Sequence, residues 1–147
     1  MVRDGARADL VAARGATPAV IDLYDRPAVT SLLADADGAI HTASPGVATT
    51  ADMDSAVVDA VTGAFADTGK PYLHISGLWI CGDDTAITED SPFHAPALAS
   101  WREPIDRRLL GATGMRGAVI VASNAYGDGG GGIPGCFAVH PGTTPAT

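Results

Sequence analysis

The sequence is poor in positive charge. Its 147 residues include nine lysines and arginines against seventeen aspartates and glutamates, and the formal net charge is -8 at pH 7. Nucleic-acid binding depends on Lys and Arg side chains that neutralise phosphates. The composition therefore argues against a nucleic-acid partner, and an anionic ligand would need a local arginine or a helix N-terminus.

Cysteines and long apolar runs are also scarce. Cys81 and Cys136 make no metal-binding spacing, and we interpret them as free thiols in a reducing cytoplasm. No apolar run reaches the roughly 20 residues that span a membrane. The opening decapeptide, MVRDGARADL, lacks the apolar region of a secretory signal. The sequence thus predicts a cytoplasmic, single-domain protein with no membrane partner.

Apolar segments of strand length alternate with segments of helical periodicity. Strands are predicted at residues 19–23, in DGAIHTASPG (37–46), in PYLHISGLWI (71–80) and in GAVIVASNAYG (117–127). A short helix with Leu10 and Val11 facing inward is predicted within VRDGARADLVAARGA (2–16), after a strand end. Further helices are predicted at 26–36, 55–70 and 97–114, the last interrupted by Pro104. Continuous apolar strands separated by helices favour a parallel sheet covered on both faces. The predicted fold class is α/β, a partial doubly wound Rossmann-like sheet.

Each predicted strand ends in small or polar residues. Asp22 follows the first, Thr42-Ala43-Ser44 the second, Ser76-Gly77 the third and Ser123-Asn124 the fourth. Ligands of such sheets bind outside the carboxyl ends of the strands. Ordinary strand-to-loop transitions also use Ser, Thr and Gly, but four such ends along one edge favour a cleft.

Five stretches resemble, in order, the NAD(P)-dependent epimerase/dehydratase family, an extended or atypical branch of the short-chain dehydrogenase/reductases. They are VRD (2–4), VIDLYD (20–25), AIHTASPG (39–46), LHISGLWICG (73–82) and VIVASNAYGDG (119–129), which resemble the family's second to sixth strands. The resemblance implies NADP or NAD as cofactor and a small-molecule substrate. It also implies a partial NAD(P)-binding domain over residues 1–135, followed by an irregular tail over 136–147.

The resemblance also implies ligand contacts for individual residues. The cofactor-binding set is Arg3 on the 2′-phosphate of NADP, Asp22 and Leu23 beside the adenine, Thr42 and Ala43 along the ribose and diphosphate, and Ser76 at the nicotinamide; Asn124 and Tyr126 would bind substrate. Two alternatives stay open: Arg3 as a solvated loop residue, and Asp22 as a turn or helix cap. His41 and His74 lie inside apolar strands, and we interpret them as core histidines with partners rather than metal ligands.

The sequence departs from the family pattern at the phosphate site. Family members open with a strand and a Gly-x-x-Gly-x-x-Gly turn, and neither precedes residue 2 here. The Gly-rich stretch 127–135 follows the last strand, so we interpret it as a flexible substrate-side loop. Without the first strand, which is central to the sheet, we expect a chain that is poorly folded alone, or folded only from about Asp37 onward.

The acid–base residues depart from the pattern as well. The family's Tyr-x-x-x-Lys pair, in which the lysine lowers the tyrosine pKa, falls on Leu98 and Arg102, and its strand hydroxyl falls on Gly77. No catalytic residue is assigned, and enzymatic activity is left open. Trp79 and Trp101 are expected to pack inside the protein, with an apolar substrate wall as the alternative.

The sequence therefore predicts an NAD(P)-binding, epimerase/dehydratase-like domain of oxidoreductase type that is catalytically incomplete as given. Three alternatives stay open. One is a working atypical reductase with another proton donor. The others are a non-catalytic cofactor-sensing or partner-binding protein, as in the NmrA-like branch, and a nonfunctional fragment.

Overall fold

The protein forms a three-stranded parallel sheet with helices packed against it. A computed structural model describes residues 1, 5–83, 85–123, 126–127 and 130–131. In chain order the elements are α1 (Gly5–Ala12), α2 (Arg26–Ala34), β1 (Ala39–His41), α3 (Thr50–Phe65), β2 (Pro71–Gly77), a 3₁₀ helix (Leu78–Cys81), α4 (Arg102–Leu110), β3 (Arg116–Ala122), β4 (Tyr126–Gly127) and β5 (Gly130–Gly131). None of the helices in the described ranges is long and apolar enough to cross a membrane.

The sheet has the order β1-β2-β3, and both pairs of strands are parallel. His41 lies opposite His74 across the first pair, and Ser76 lies opposite Val121 across the second. Helices connect the strands, as a parallel sheet requires. The α/β class and the partial Rossmann-like sheet are therefore confirmed, and the carboxyl ends of all three strands lie along one edge.

Local sequence accounts for the ends of α2. The Asp25 side chain caps the helix by accepting a hydrogen bond of 3.1 Å from the Ala28 amide. Pro27 lies in the first turn, where a missing N–H breaks no helical hydrogen bond. Val29 and Leu33, one turn apart, are buried against α3. This helix contributes to the core, so the expectation that the fold begins only near Asp37 was wrong.

The apolar core lies between the helices and one face of the sheet. Its buried members come from α2, α3, β2 and α4: Val29, Leu33, Val57, Val58, Ala60, Val61, Phe65, Tyr72, Ile105 and Leu109. The other face of the sheet is more open, with Ile40 70% and Ile120 44% exposed. The described helices thus cover one face, whereas the sequence predicted cover on both.

Two elements predicted in the N-terminal part take other forms. Residues 19–23 form no extended strand: Val20 makes a single bridge, and a turn follows in which the Asp25 amide donates to the Asp22 carbonyl. A strand needs a neighbouring strand to pair with, and in the described sheet β1 pairs only with β2. In α1 no residue is buried and Leu10 is 63% exposed, so its predicted inward face was wrong as well.

Two predictions in the C-terminal half also need correction. Pro104 does not interrupt a helix, because α4 begins at Arg102 and places the proline in its first turn, where no N–H is needed. Part of the Gly-rich stretch pairs as a short antiparallel ladder between β4 and β5. The 136–147 tail, with Cys136, lies outside the described residues, whereas Cys81 is a buried thiol.

Candidate functional site

A cavity of about 840 Å³ opens at the carboxyl end of β1. Its walls come from α1, the turn before α2, the segment after β1 and the start of α3. The lining residues are Met1, Arg7, Val20, Ile21, Asp22, Leu23, Tyr24, Thr42, Ala43, Ser44, Pro45, Val47, Thr49 and Met53. We call this the β1 cavity. It lies where a parallel α/β sheet holds its ligands.

Four of the residues predicted to bind cofactor meet in the β1 cavity. Asp22 and Leu23 come from the turn before α2, and Thr42 and Ala43 come from the segment that leaves β1. The two pairs are about twenty positions apart in sequence, so their meeting is a property of the fold. Their predicted contacts with adenine, ribose and diphosphate stay predictions.

Hydrogen bonds fix the turn that carries Asp22. Its Oδ1 accepts a 3.0 Å hydrogen bond from the Tyr24 amide. This contact agrees with the alternative interpretation of Asp22 as a turn residue. The Tyr24 hydroxyl lies 2.7 Å from Thr49 Oγ1 and 3.1 Å from the Thr49 carbonyl oxygen. These contacts hold the turn against the beginning of α3, so the two walls of the β1 cavity are joined.

Sequence reasoning missed Arg7, Tyr24 and Met53 in this cavity. Arg7 lies on α1 and is the one Lys or Arg side chain among the described lining residues of the β1 cavity. In a sequence with so few cations, an arginine four positions from the singled-out Arg3 could have drawn attention. Nothing in the sequence marks Tyr24 or Met53, because their place depends on how α2 and α3 pack.

The other predicted ligand contacts lie elsewhere. Ser76 is 3% exposed, faces the helices and does not line the β1 cavity. Its hydroxyl therefore cannot touch a ligand at the sheet edge in this conformation. Arg3 and Asn124 lie outside the described residues, and Tyr126 is placed only as the first residue of β4.

Ser76 instead belongs to a polar cluster buried between the sheet and the helices α3 and α4. His41 Nε2 lies 3.0 Å from Asp54 Oδ1, and Arg102 Nη1 lies 3.6 Å from Asp54 Oδ2. The rings of His41 and His74 are 5.3 Å apart between centroids. Both histidines are buried with polar partners, so their interpretation as core histidines is confirmed. The described residues include no group of His, Cys, Asp or Glu that could hold a metal ion.

The inner half of the cluster is the most desolvated. The Tyr72 hydroxyl lies 3.1 Å from His74 Nδ1, and His74 Nε2 lies 3.7 Å from Asp106 Oδ1. Within the described part of the chain, the two carboxylate oxygens of Asp106 and the Ser76 hydroxyl have no hydrogen-bond partner. Native proteins seldom leave buried polar atoms in this state.

Burial sets the ionisation of these groups. It lowers the pKa of His74 to about 4, and the neighbouring His41 and Arg102 act in the same direction while Asp54 opposes them. Burial also raises the pKa of Asp106, against the opposing effects of the nearby Ser76 hydroxyl and of Arg102. The pKa of Tyr72 is raised by burial and by Asp54 and Asp106. All three shifts favour the neutral forms of these side chains.

A second, smaller cavity of about 340 Å³ opens at the carboxyl ends of β2 and β3. We call it the β2–β3 cavity. Its lining residues are Gly77, Leu78, Trp79, Leu98, Ala99, Trp101, Arg102 and Ala122. Trp101 packs on the core as expected, but Trp79 is 52% exposed. For Trp79, the prediction of a packed side chain was therefore wrong.

Comparison with solved structures finds this arrangement of strands and helices elsewhere. The chain matches the enzyme WbmH of Bordetella bronchiseptica in complex with NAD+ with a TM-score of 0.58 at 19% identity, over 74% of this chain and 40% of that one. The UDP-Glc/GlcNAc 4-epimerase of Campylobacter jejuni matches with a TM-score of 0.58 at 17% identity, over 78% and 40% of the two chains. The chain shares its fold with these enzymes.

The likeness is one of fold, since both identities are low. The chain spans about two fifths of the length of each of the two enzymes. No protein-family model matches the sequence, and no curated protein does so. The β1 cavity and the β2–β3 cavity thus lie at the strand ends of a sheet shared with an enzyme solved in complex with NAD+.

The structure also places the positions that match the family's acid–base pair. Leu98 lies in a turn before α4, is 72% exposed and lines the β2–β3 cavity. Arg102 is the first residue of α4 and also lines that cavity. A leucine side chain has no proton to transfer, and a guanidinium offers N–H donors but no acceptor.

Proposed function

We propose that this chain binds NAD or NADP in the β1 cavity, as the partial cofactor domain of an epimerase/dehydratase-like oxidoreductase. The observation that carries the proposal is the meeting of Asp22, Leu23, Thr42 and Ala43 around one cavity. The same four residues lie in the sequence motifs that resemble the cofactor-binding strands of the family. The fold shared with WbmH, an enzyme solved with NAD+, supports the same choice of ligand.

The size and chemistry of the β1 cavity suit a dinucleotide. Its volume lies within the roughly 300–1,000 Å³ usual for small-molecule sites. Ala43 is small enough to let a ligand approach the backbone, and Thr42 offers a hydroxyl. One oxygen of Asp22 is engaged by the Tyr24 amide, which leaves the other as an acceptor for an adenine amino group.

Positive charge for the phosphates would come from two sources in this cavity. Arg7 lines it from α1, and a guanidinium suits phosphate oxygens. Thr49, next to the first residue of α3, lines it as well. The N-terminus of a sixteen-residue helix carries partial positive charge, which favours a nearby anion.

We infer that the domain binds cofactor without performing acid–base catalysis through the family's usual pair. The cofactor itself supplies hydride chemistry, but Leu98 and Arg102 stand where the resemblance requires tyrosine and lysine. This observation favours a second candidate function, a non-catalytic cofactor-sensing domain. Binding without turnover would support that candidate.

Isothermal titration calorimetry with NAD+ and NADP+ tests the proposal directly. The variant Ala43→Phe places a ring in the β1 cavity and is expected to weaken binding at least about tenfold by exclusion. The matched control is Ala66→Phe, because Ala66 is exposed just after α3, near the opposite edge of the sheet. Absence of binding of either nucleotide at millimolar concentration, or equal effects of the two variants, contradicts the proposal.

Turnover assays separate the two candidate functions. The protein is mixed with NADPH and a panel of carbonyl compounds and sugar nucleotides, and absorbance of the reduced cofactor is followed. A substrate-dependent loss of NADPH would favour an atypical reductase with another proton donor. Cofactor binding without any loss of NADPH would favour a sensing role.

A further inference from the structure

The glycine at the end of β2 has no structural reason to be a glycine. Gly77 has φ -121° and ψ 148°, an extended backbone that any residue adopts. A Cβ built on it would meet a single described atom within 4 Å, Arg102 Nε at 3.9 Å. Neither backbone strain nor close packing within the described chain requires the missing side chain. The space above Gly77 is part of the β2–β3 cavity.

Flat apolar surfaces surround this space. Trp79 and Trp101 both line the β2–β3 cavity, and they are the only tryptophans of the sequence. Leu98 and Trp79 are 72% and 52% exposed, and they line this cavity together with Gly77, Ala99 and Ala122. Indole rings offer planar faces on which another ring can stack. The walls therefore suit a planar apolar molecule.

One polar group, the Arg102 guanidinium, would determine how a ligand is oriented in this cavity. The Arg102 guanidinium stacks on the Trp101 ring at 4.2 Å, and its Nη1 lies 3.6 Å from Asp54 Oδ2, inside the protein. Its Nε is the atom nearest to the space above Gly77. A guanidinium has five N–H donors and no acceptor. A ligand atom that forms a hydrogen bond with Arg102 in the cavity must therefore be an acceptor, such as a carboxylate or carbonyl oxygen.

We propose that the β2–β3 cavity binds a small flat ring that carries an acceptor oxygen, either a carboxylate or a carbonyl. The ring occupies the space above Gly77 beside the exposed Trp79 indole, and the oxygen accepts from Arg102. The ring-binding site itself does not depend on the proposed cofactor function. Only the interpretation of the bound ring as the substrate of a cofactor-dependent reaction rests on that function. The two cavities are neighbours along one sheet edge, at the ends of β1 and of β2 and β3.

The probe is 4-fluorobenzoate, a flat ring with a carboxylate. It has about ten non-hydrogen atoms, so a dissociation constant of roughly 1 mM is expected for a fitting site. In ¹⁵N-labelled protein the indole N–H groups give two cross-peaks, both from the β2–β3 cavity, and both are expected to shift. Cyclohexanecarboxylate, which has the same charge but a puckered ring, is expected to bind several times more weakly. A second arm with 4-fluoroacetophenone tells carboxylate from carbonyl.

Gly77→Val is the blocking variant, since a branched side chain fits the extended backbone but fills the cavity. We expect this variant to weaken the binding of 4-fluorobenzoate at least about tenfold, as measured by ¹⁹F NMR. Gly63→Ala is the control: Gly63 lies on α3, is exposed, and has nothing within 4 Å of its Cβ position. Trp79→Ala provides a second test if Gly77→Val does not fold, and it should also weaken binding.

The outcomes separate this proposal from the cofactor proposal. Indole cross-peaks that stay fixed up to about 10 mM probe, well above the roughly 1 mM expected, overturn the ring site even if NAD+ binds. Equal binding by wild type and Trp79→Ala overturns it as well. Probe binding with the predicted variant effects in a protein that binds no NAD+ leaves the ring site standing and removes its role as a substrate site.

Discussion

Acidification from pH 7 to pH 5 should destabilise the protein through His74. This side chain is 1% exposed, and the titratable or charged groups facing it are Tyr72 on its own strand, His41 on β1, Asp54 on α3, and Arg102 and Asp106 on α4. Burial lowers its pKa from 6.5 to about 4 in the folded state. The folded protein thus keeps this imidazole neutral where an unfolded chain would protonate it.

The sign and the size follow from linkage. Between the two pKa values the unfolded state binds more protons, so stability is complete above about pH 6.5 and is lost as the pH falls toward 4. For these two pKa values, the loss between pH 7 and pH 5 is about 2 kcal/mol. In a domain of this size, that corresponds to a drop in melting temperature of roughly 4–8 °C.

Urea unfolding at pH 7 and at pH 5 measures this loss, and His74→Gln isolates it. Glutamine cannot titrate but can still form a hydrogen bond with Tyr72, so the variant should lose markedly less stability on acidification than the wild type, whatever its stability at pH 7. His94→Gln is the matched control, because His94 is exposed and lies outside the cluster. If wild type and His74→Gln show the same loss between the two pH values, the reasoning is refuted.

Two further predictions concern stability at neutral pH. Asp106→Asn should raise the free energy of unfolding at pH 7 by about 1–2 kcal/mol in urea titrations, because it removes a carboxylate whose oxygens are buried without hydrogen bonds. Its raised pKa means that the carboxyl contributes most stability when protonated and loses it as the pH rises, so an unchanged or lower stability at pH 7 would contradict the argument. Gly114→Ala should lower the melting temperature, at a cost of about 1–3 kcal/mol, since Gly114 has φ +75° and a Cβ there would lie 2.5 Å from the Asp67 amide nitrogen. Gly63→Ala, at an open helical position, should be stabilising by about 0.5–1 kcal/mol, and the same sign for both glycines would refute the steric explanation.

The sheet and the small or polar ends of its strands could be predicted because their signals are local. Continuous apolar runs bounded by helices marked β1, β2 and β3, and small or polar residues marked the ends of β1 and β2. The predicted strand at residues 19–23 has the same local signal and does not form one. Strand formation also depends on a pairing partner, which no pattern within five residues can report.

The polar cluster was beyond sequence reasoning for a related reason. His41 and His74 could be recognised as residents of buried strands, but their partners Asp54 and Asp106 lie on two separate helices. From the helical pattern alone, each of these aspartates is expected at an ordinary exposed polar position. Each is buried only because of how its helix packs against the sheet. The exposure of Trp79 could not be predicted either, because β2 ends at Gly77 and the 3₁₀ helix that follows turns the indole outward.

Ser76 and Gly77, the last two residues of β2, lie on opposite faces of the sheet because side chains alternate across a strand. Tyr72, His74 and Ser76 share the face that α3 and α4 cover, so the serine hydroxyl is buried beside the polar cluster. Gly77, one position later, belongs to the opposite alternation and lines the β2–β3 cavity. A hydroxyl at the end of β2 would have to stand at position 77 to face the β2–β3 cavity. The chain has instead kept its hydroxyl inside and left open space where a ligand can lie.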